Sequence, residues 1–391
     1  MYTVFLKKNE EKRILRGEPW IFANEVLKID GSGKQGDVCR VCASDGRFVA
    51  QGYINHLSKI IVRVLSYKEE PIDEAFFERR IRAAAEYRKK LGYSSAYRVV
   101  FGESDLLPAL IVDKYGDYLS CQFLSLGMDK RKDMIVGILV KIFEPKGIYE
   151  RSDVAVRKKE GLEEKTGLLY GEVPDAVLIE ENGLKLFVDI KNGQKTGYFL
   201  DQKENRADIA NYVKGKRVLD CFCNVGGFSL CAAKFGAKEV VSADISKNAL
   251  DYVEKNAALN GFSSIIRTKN ADVFELLREY RKSGEKFDVI VLDPPAFTKS
   301  KDTVKDGLRG YKDINVQAMK LLDAGGFLIT NSCSQHISVN AFLDMLAEAA
   351  HEAGITAKLV TLREQGKDHA SIVGFEESLY LKTVVLYVME K

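Results

Sequence analysis

The second half of the chain constrains the fold most. After about residue 190 the runs RVLDCF, EVVSAD, SSIIRTKNAD, FDVIVLD and GFLITNSC are short, apolar and strand-length. The stretches FSLCAAKFG, SKNALDYVEKNAALNG, VFELLREYRKSG and NVQAMKLLDAGG separate most of them with helical spacing. Strands alternating with helices predict a parallel, doubly wound α/β sheet with right-handed crossovers. After one more helix, VNAFLDMLAEAAHEAG, the chain closes with AKLVTLRE and LYLKTVVLYVME, strand-like segments with no helix between them. That predicts an antiparallel final pair, which is unusual for a dinucleotide dehydrogenase.

Upstream the pattern differs. Residues 1–68 read as one basic helical stretch followed by short strands (DVCRVCAS, RFVAQGYI, KIIVRVLS) set apart by Gly, Asp and Asn. The run PIDEAFFERRIRAAAEYRKKL has a helical face of Ala75, Phe76, Ile81, Ala84 and Ala85 and reads as a linker helix. Strands return between 97 and 188 around a helix near 129–143, an α+β layer. The domains expected are therefore a small β-rich module at 1–70, a central α+β domain at 71–188, and the doubly wound domain at 189–391.

A chain of 391 residues with 46% hydrophobic and 29% charged side chains has material for several cores. It opens without an apolar signal region, and no run approaches the ~18–20 apolar residues of a membrane span. No membrane association and a cytoplasmic location are the expectations. The seven cysteines are read as free thiols in a reducing compartment. Cys39 and Cys42 have CxxC spacing, but no second pair completes a zinc site, so they are assigned to strand packing and no metal is expected. Residues 1–68 carry twelve Lys/Arg against seven Asp/Glu. That excess hints at a polyanionic partner, with Lys7, Lys8, Arg13 and Arg16 as candidate backbone contacts, although each taken singly fits a solvated surface better.

VLDCFCNVGGF (218–228) is a strand, a glycine turn and a helix start. Ligands of doubly wound sheets sit beyond the strand ends at the switch point. Gly226 and Gly227 let the backbone approach one there, with Asp220, Phe222 and Asn224 around them. The spacing is not G-x-G-x-x-G, so a pyrophosphate cradle is poorly supported. Asp244 closes the second strand beside Ile245, where a carboxylate can accept from two ribose hydroxyls. Asp272 closes the third beside Val273, within reach of an adenine amino group. Any one of these acids alone reads as a strand-end cap. Three in succession point to a cofactor that carries a nucleoside.

The fourth strand ends in Asp293-Pro294-Pro295-Ala296-Phe297. Two prolines cannot continue a ladder, so the chain turns out of the sheet there. Asp293 then faces the crevice and Phe297 offers a ring on which a planar base can stack, with Pro294 between them. The fifth strand ends at Cys333. In the order 3-2-1-4-5 strands four and five are neighbours ~4.8 Å apart, so Asp293 and Cys333 flank one pocket. Cys121, Cys221, Cys223 and Cys231 are read as inert buried thiols. A reactive Cys333 requires a neighbouring cation or dipole to lower its pKa. His336 is left without a role.

With these motifs the chain resembles, over nearly its whole length, the rRNA large-subunit methyltransferase I type: S-adenosylmethionine-dependent RNA cytosine-5 methyltransferases. RILRGEPWIFANEV is similar to the opening of that family's PUA domain. VDIKNGQKTGYFLDQKENR (188–206) is similar to its signature, and VLDCFCNVGGF, VLDPPAFTKSK, RGYKDIN, NSCS and EESLYLK follow in family order. The resemblance implies a class I (Rossmann-like) seven-stranded methyltransferase sheet behind the PUA-like and α+β domains. It implies S-adenosyl-L-methionine as cofactor, held by Gly226, Asp244 and Asp272, with Lys195, Thr196, Phe199 and Gln202 closing over it. Cys333 becomes the nucleophile and Asp293 its partner, itself beside the cofactor. The partner is RNA, expected to be large-subunit rRNA; a homodimer is left open. Cytosine methyltransferases with a second cysteine in the fourth-strand motif carry it where this chain has Pro295 or Ala296, so release of a covalent adduct must manage without it.

Three other readings compete. A guanine N7 or exocyclic-amine methyltransferase shares the segment from Asp293 to Lys299-Ser300-Lys301 and needs no nucleophile. A non-catalytic RNA-binding protein would bind no cofactor. A nicotinamide oxidoreductase lacks support from the glycine spacing and the terminal strands.

Overall fold

The computed structural model describes residues 1–298 and 300–390. The chain divides into two compact units. One comprises Met1–Ile179, Val188–Asp201 and Lys367–Ser378; the other comprises Glu180–Phe187, Gln202–Gly366 and Leu379–Lys391.

The first unit opens with β1 (Tyr2–Leu6), α1 (Glu11–Leu15), β2 (Trp20–Phe22), β3 (Val26–Asp30), β4 (Val38–Cys42), β5 (Phe48–Ile54) and β6 (Ile60–Ser66). The six strands form one sheet in the order β2-β6-β5-β4-β1-β3. Their inward residues, among them Val4, Ile21, Val41, Ile54 and Val62, form one core. Cys39 belongs to it and Cys42 is also buried, and burial pushes the Cys39 thiol up to about 12. Asp73 then caps α2 (Glu74–Lys90) by accepting from the Phe76 N–H, so the helix starts where its apolar face begins. There follow β7 (Ala96–Phe101), β8 (Leu110–Tyr115), β9 (Tyr118–Phe123), α3 (Leu126–Asp129), α4 (Lys132–Phe143), β10 (Gly147–Ser152) and β11 (Lys165–Gly171). These strands form a sheet ordered β11-β10-β9-β8-β7, and Phe76, Phe77 and Ile81 of α2 share its core. Buried charge joins the two sheets into one unit: Arg63 of β6 pairs with Glu103 at 2.8 Å and Glu160 at 3.0 Å. Such pairs must be satisfied together, because removing one partner leaves a buried charge unmatched.

A two-stranded sheet, β12 (Val177–Glu181) with β13 (Leu184–Val188), lies where the chain leaves one unit for the other. The second unit then runs α5 (Lys203–Asp208), β14 (Arg217–Cys221), α6 (Gly227–Lys234), β15 (Glu239–Asp244), α7 (Lys247–Leu259), β16 (Ile266–Asn270), α8 (Val273–Ser283) and β17 (Phe287–Leu292). It finishes with α9 (Val304–Lys320), β18 (Leu322–Ser332), α10 (Val339–Ala353), β19 (Thr356–Arg363) and β20 (Lys382–Met389). The seven strands are ordered β16-β15-β14-β17-β18-β20-β19, with β20 antiparallel to both its neighbours. The inner parallel strands β14, β15 and β17 are buried on both faces, which is why they read as unbroken apolar runs, whereas the edge strand β16 (IRTKN) is largely polar and partly exposed. Leu219, Ile290, Leu292 and Leu328 lie in one core with Tyr311 and Ile314 of α9 and Phe342 and Leu346 of α10. This is the class I methyltransferase sheet that was expected.

Two elements differ from their sequence-based limits. The helix before the fifth strand was placed at NVQAMKLLDAGG, whereas α9 begins at Val304. Gly307 and Gly310 lie inside it, and they argue against a helix by propensity. Their role is close approach: a Cβ on Gly310 would lie 3.1 Å from the Phe297 ring, and one on Gly307 3.0 Å from Thr298. The fifth strand starts at Leu322 rather than Gly326, because Leu322 pairs with Phe287 ahead of an irregularity that takes up the DAGG residues. Among the described residues no helix is long and apolar enough to cross a membrane.

Candidate active site

The turn after β14 is built from residues in the left-handed region: Phe222 (φ 62°), Asn224 (φ 50°) and Gly226 (φ 88°). Two of the three are not glycine, and such backbone persists only where its surroundings enforce it. The enforcing group is Asp244 at the end of β15. Its Oδ2 accepts the Asn224 N–H at 3.0 Å and its Oδ1 accepts the Ser246 N–H at 2.8 Å. Gly226 precedes α6, and a Cβ there would meet both Val253 methyls at 3.2 Å. Beside this turn Ile245 is 71% exposed, a bare aliphatic surface next to a half-buried carboxylate. Asp272 caps α8, accepting from Phe274 N–H at 2.8 Å and Glu275 N–H at 3.3 Å, while Val273 turns into the core.

Under the same turn lies Asp220, wholly buried. Its Oδ2 accepts the Ser229 hydroxyl at 2.6 Å, and its Oδ1 has no partner. Burial, and then the Asp293 and Asp244 charges, push this carboxyl up to about 7. An acid so placed is ready to respond to a cationic ligand above it.

β17 delivers Asp293 at the sheet edge, half-buried. Gln202 donates to its Oδ1 at 2.8 Å, and Asn205 donates to the Gln202 carbonyl at 2.7 Å. Asn205 also donates to Thr383 Oγ1 at 2.9 Å; Thr383 donates to Asn331 Oδ1 at 2.6 Å, and Asn331 to the Leu292 carbonyl at 3.0 Å. This buried chain of amides fixes the carboxylate from three elements. Gln202 and Asp293 are therefore in contact, as two of the expected site residues. Pro294 is buried, and its carbonyl lies 3.9 Å from Cys333 Sγ. Six of the seven cysteines are buried and Cys333 alone is partly exposed. Burial raises the thiols of Cys121, Cys221 and Cys223 far above the ordinary range and that of Cys231 to about 12. Phe297 is half-buried, its ring 4.6 Å from that of Tyr311 and 5.8 Å from that of Phe274. Tyr311 in turn shares a 3.0 Å hydrogen bond with Ser334.

Lys195, Thr196 and Phe199 belong to the first unit. Lys195 Nζ pairs with Asp201 at 2.7 Å and stands 4.5 Å from the centre of the Phe199 ring. The Thr196 hydroxyl is buried between Asp113 at 2.6 Å and Tyr115 at 2.9 Å. Lys7, Lys8 and Arg16 are exposed, but Arg13 is held by Glu18, by Glu25 at 2.6 Å and by the Trp20 carbonyl at 2.7 Å. Lys299 lies outside the described residues, and His336 is half-exposed. Sequence reasoning assigned no role to Lys382, which opens β20. Its Nζ donates to the Ser334 carbonyl at 2.7 Å and the Tyr380 carbonyl at 2.9 Å, and burial lowers it to about 8. Its signal was present: a lysine in EESLYLK, at the start of an apolar strand.

A strained turn locked by a carboxylate, a glycine that keeps a helix start bare, and an exposed aliphatic next to them suit a nucleoside carrying a cationic side arm. S-adenosylmethionine has that chemistry, and the residues present fit it. Comparison with known proteins gives the class. A model of S-adenosylmethionine-dependent methyltransferases matches residues 154–371, and one of PUA-like domains matches residues 4–67. The protein is thus an S-adenosylmethionine-dependent methyltransferase with a PUA-like domain at its N-terminal end. The curated relatives include the ribosomal RNA large subunit methyltransferase I of Aeromonas hydrophila, 47% identical, with 98% of each chain covered. The Tolumonas auensis protein of that name is 46% identical over 98% of each chain. The chain belongs to the family of ribosomal RNA large subunit methyltransferase I. Among solved structures, a Streptococcus mutans chain described as a candidate S-adenosylmethionine-dependent methyltransferase superposes with a TM-score of 0.84 at 23% identity, covering 99% of this chain and 100% of that one. A related methyltransferase structure, solved with S-adenosylhomocysteine, superposes at 0.85, also at 23% identity and the same coverage. A tRNA m1G37 methyltransferase of M. jannaschii shares the fold at 0.51 and 18% identity, covering 85% of this chain and 83% of that one.

Proposed function

We propose that this protein methylates C5 of a cytosine in large-subunit ribosomal RNA, with Cys333 as covalent nucleophile and Asp293 as its partner. The observation that carries the reading is the partly exposed Cys333 thiol at the end of β18, 3.9 Å from the carbonyl of the residue that follows Asp293. The RNA substrate rests on the relatives' shared name and on the PUA-like match at residues 4–67.

C5 of cytosine is a poor nucleophile. Attack of the Cys333 thiolate on C6 forms an S–C6 bond and moves the C5=C6 electron pair onto C5, splitting one hard step into two. Asp293, held by Gln202, binds the N3/N4 edge of the base; in its protonated form it donates to N3 and stabilises the negative charge that gathers there. S-adenosylmethionine, when bound, supplies the electrophilic methyl group that C5 takes. A base then removes the C5 proton, the C5=C6 double bond re-forms and the S–C6 bond breaks, returning the thiolate. Asp244 takes the ribose hydroxyls in this reading, the turn from Phe222 to Gly227 follows the methionine arm, and Asp272 and Ile245 meet the adenine. Pro294 and Phe297 border the target base. Lys195, Thr196 and Phe199 remain in the proposal as the residues that close over the cofactor, and Lys7, Lys8 and Arg16 as phosphate contacts. Arg13 enters it only if RNA displaces its carboxylates.

Cys333→Ala tests the reading. With large-subunit rRNA from cells lacking this gene, methyl transfer falls by ~10³-fold or more, as loss of a nucleophile does elsewhere. Calorimetry finds S-adenosylmethionine binding unchanged. Transfer at near wild-type rate by the alanine variant contradicts the covalent route and favours attack by a nitrogen lone pair.

A further inference from the structure

Lys382 is an expensive residue where it stands. It is 4% exposed and faces Ser332 across the β18–β20 pairing. Two of its three N–H donors go to the carbonyls of Ser334 and Tyr380. The ammonium is thus fixed on the carbonyl of Ser334, the residue after Cys333, while the Lys382 backbone pairs with Ser332, the residue before it. Among the described residues no carboxylate pairs with it at ion-pair distance, and a buried ammonium without a counter-charge is costly. Burial lowers its pKa, and the Cys333 thiol is the group that pulls it back up. Among the described residues, the other titratable groups near the thiol in sequence or fold include Tyr311 from α9, which burial holds neutral with a pKa of about 12, Asp293 at the end of β17, and His336 three residues on. An Asp293 carboxylate opposes a second negative charge nearby, so Cys333 needs a cation to ionise.

We propose that Lys382 is the positioning residue that supplies this cation and holds Cys333 as a thiolate, an inference that rests on reading Cys333 as the nucleophile. From a neutral amine and a thiol, the S–H bond breaks and an N–H bond forms, giving an ammonium–thiolate pair with no net change in protons. Addition of the sulfur to C6 removes the negative charge and leaves the ammonium uncompensated. Return of the thiolate restores the pair. Lys382 therefore also favours the step that breaks the S–C6 bond, in a chain with Pro295 and Ala296 where other cytosine methyltransferases carry a second cysteine.

The test reads the thiol itself. Iodoacetamide alkylation of the Cys333 peptide in the full-length protein is followed by mass spectrometry from pH 5.5 to 10, for wild type, Lys382→Met and Lys382→Arg. The expected wild-type midpoint lies below the ~8.5 of a free thiol. Lys382→Met raises it by a unit or more and slows alkylation at pH 7 by about 10-fold; Lys382→Arg keeps the wild-type profile. An unshifted midpoint in a folded Lys382→Met protein overturns the proposal. A wild-type midpoint at or above ~8.5 overturns it without any variant, so misfolding of the variants does not shelter it. Methyl transfer by Cys333→Ala is a separate readout: it can sink the nucleophile while the ion pair stands, and the alkylation profile can sink the ion pair while the nucleophile stands.

Discussion

Asp220 shows how single residues in this sheet are tuned by burial. Its carboxyl is wholly buried with one oxygen unpartnered, and its pKa rises from an unfolded 3.8 to about 7. A raised carboxyl favours the folded state while it is protonated. That contribution is complete below pH 3.8 and is lost as pH rises through about 7. Asp220→Asn keeps the shape without the titration. Thermal unfolding from pH 4 to pH 8 is therefore expected to show wild type losing stability relative to the asparagine variant, by at least about 1.4 kcal/mol, the equivalent of one unit. Parallel pH profiles for the two proteins would remove Asp220 as the titrating group. Asp220, Asp244 and Asp272 could be singled out in the sequence because each lies at or just past the end of a successive strand, although the third strand, β16, is polar and Asp272 caps the helix after it. Lys382 was visible as a lysine opening an apolar strand, but its nearness to Cys333 was not: forty-nine residues separate the two, and only the antiparallel pairing that sets Lys382 opposite Ser332 brings them together. The amide chain from Gln202 through Asn205 to Thr383 was hidden for the same reason, except for Gln202, which its signature pointed out.

At the scale of elements the β14–α6 turn carries the most. Its glycine sits at φ 88° with Val253 methyls 3.2 Å from where a Cβ would be. Gly226→Ala is expected to cost roughly 1–2 kcal/mol from the left-handed backbone alone, seen as a lower urea midpoint with unchanged slope. S-adenosylmethionine binding weakens with it; a variant with wild-type stability and binding would show that the turn tolerates a side chain. The alternation of strands and helices and the antiparallel close were readable from periodicity, since short apolar strand-length runs separated by helical spacing mark a parallel sheet. The start of α9 was not readable. Gly307 and Gly310 lower helix propensity, and the reason they are tolerated, the nearness of Phe297 and Thr298, is a tertiary contact.

At the scale of the molecule, the chain carries a β-rich sheet that a PUA-like model matches and a seven-stranded methyltransferase sheet. The family follows from the whole chain; the proposal for the atom that receives the methyl group rests on one thiol. Fold alone does not choose the methylated atom, since a tRNA m1G37 methyltransferase shares the fold. The most direct measurement uses the purified protein, isotopically labelled S-adenosylmethionine and large-subunit rRNA from cells lacking the gene, with digestion to nucleosides and mass spectrometry of the labelled product. The account predicts the label in 5-methylcytidine. Label in a methylated guanosine or in an exocyclic-amine product would contradict it.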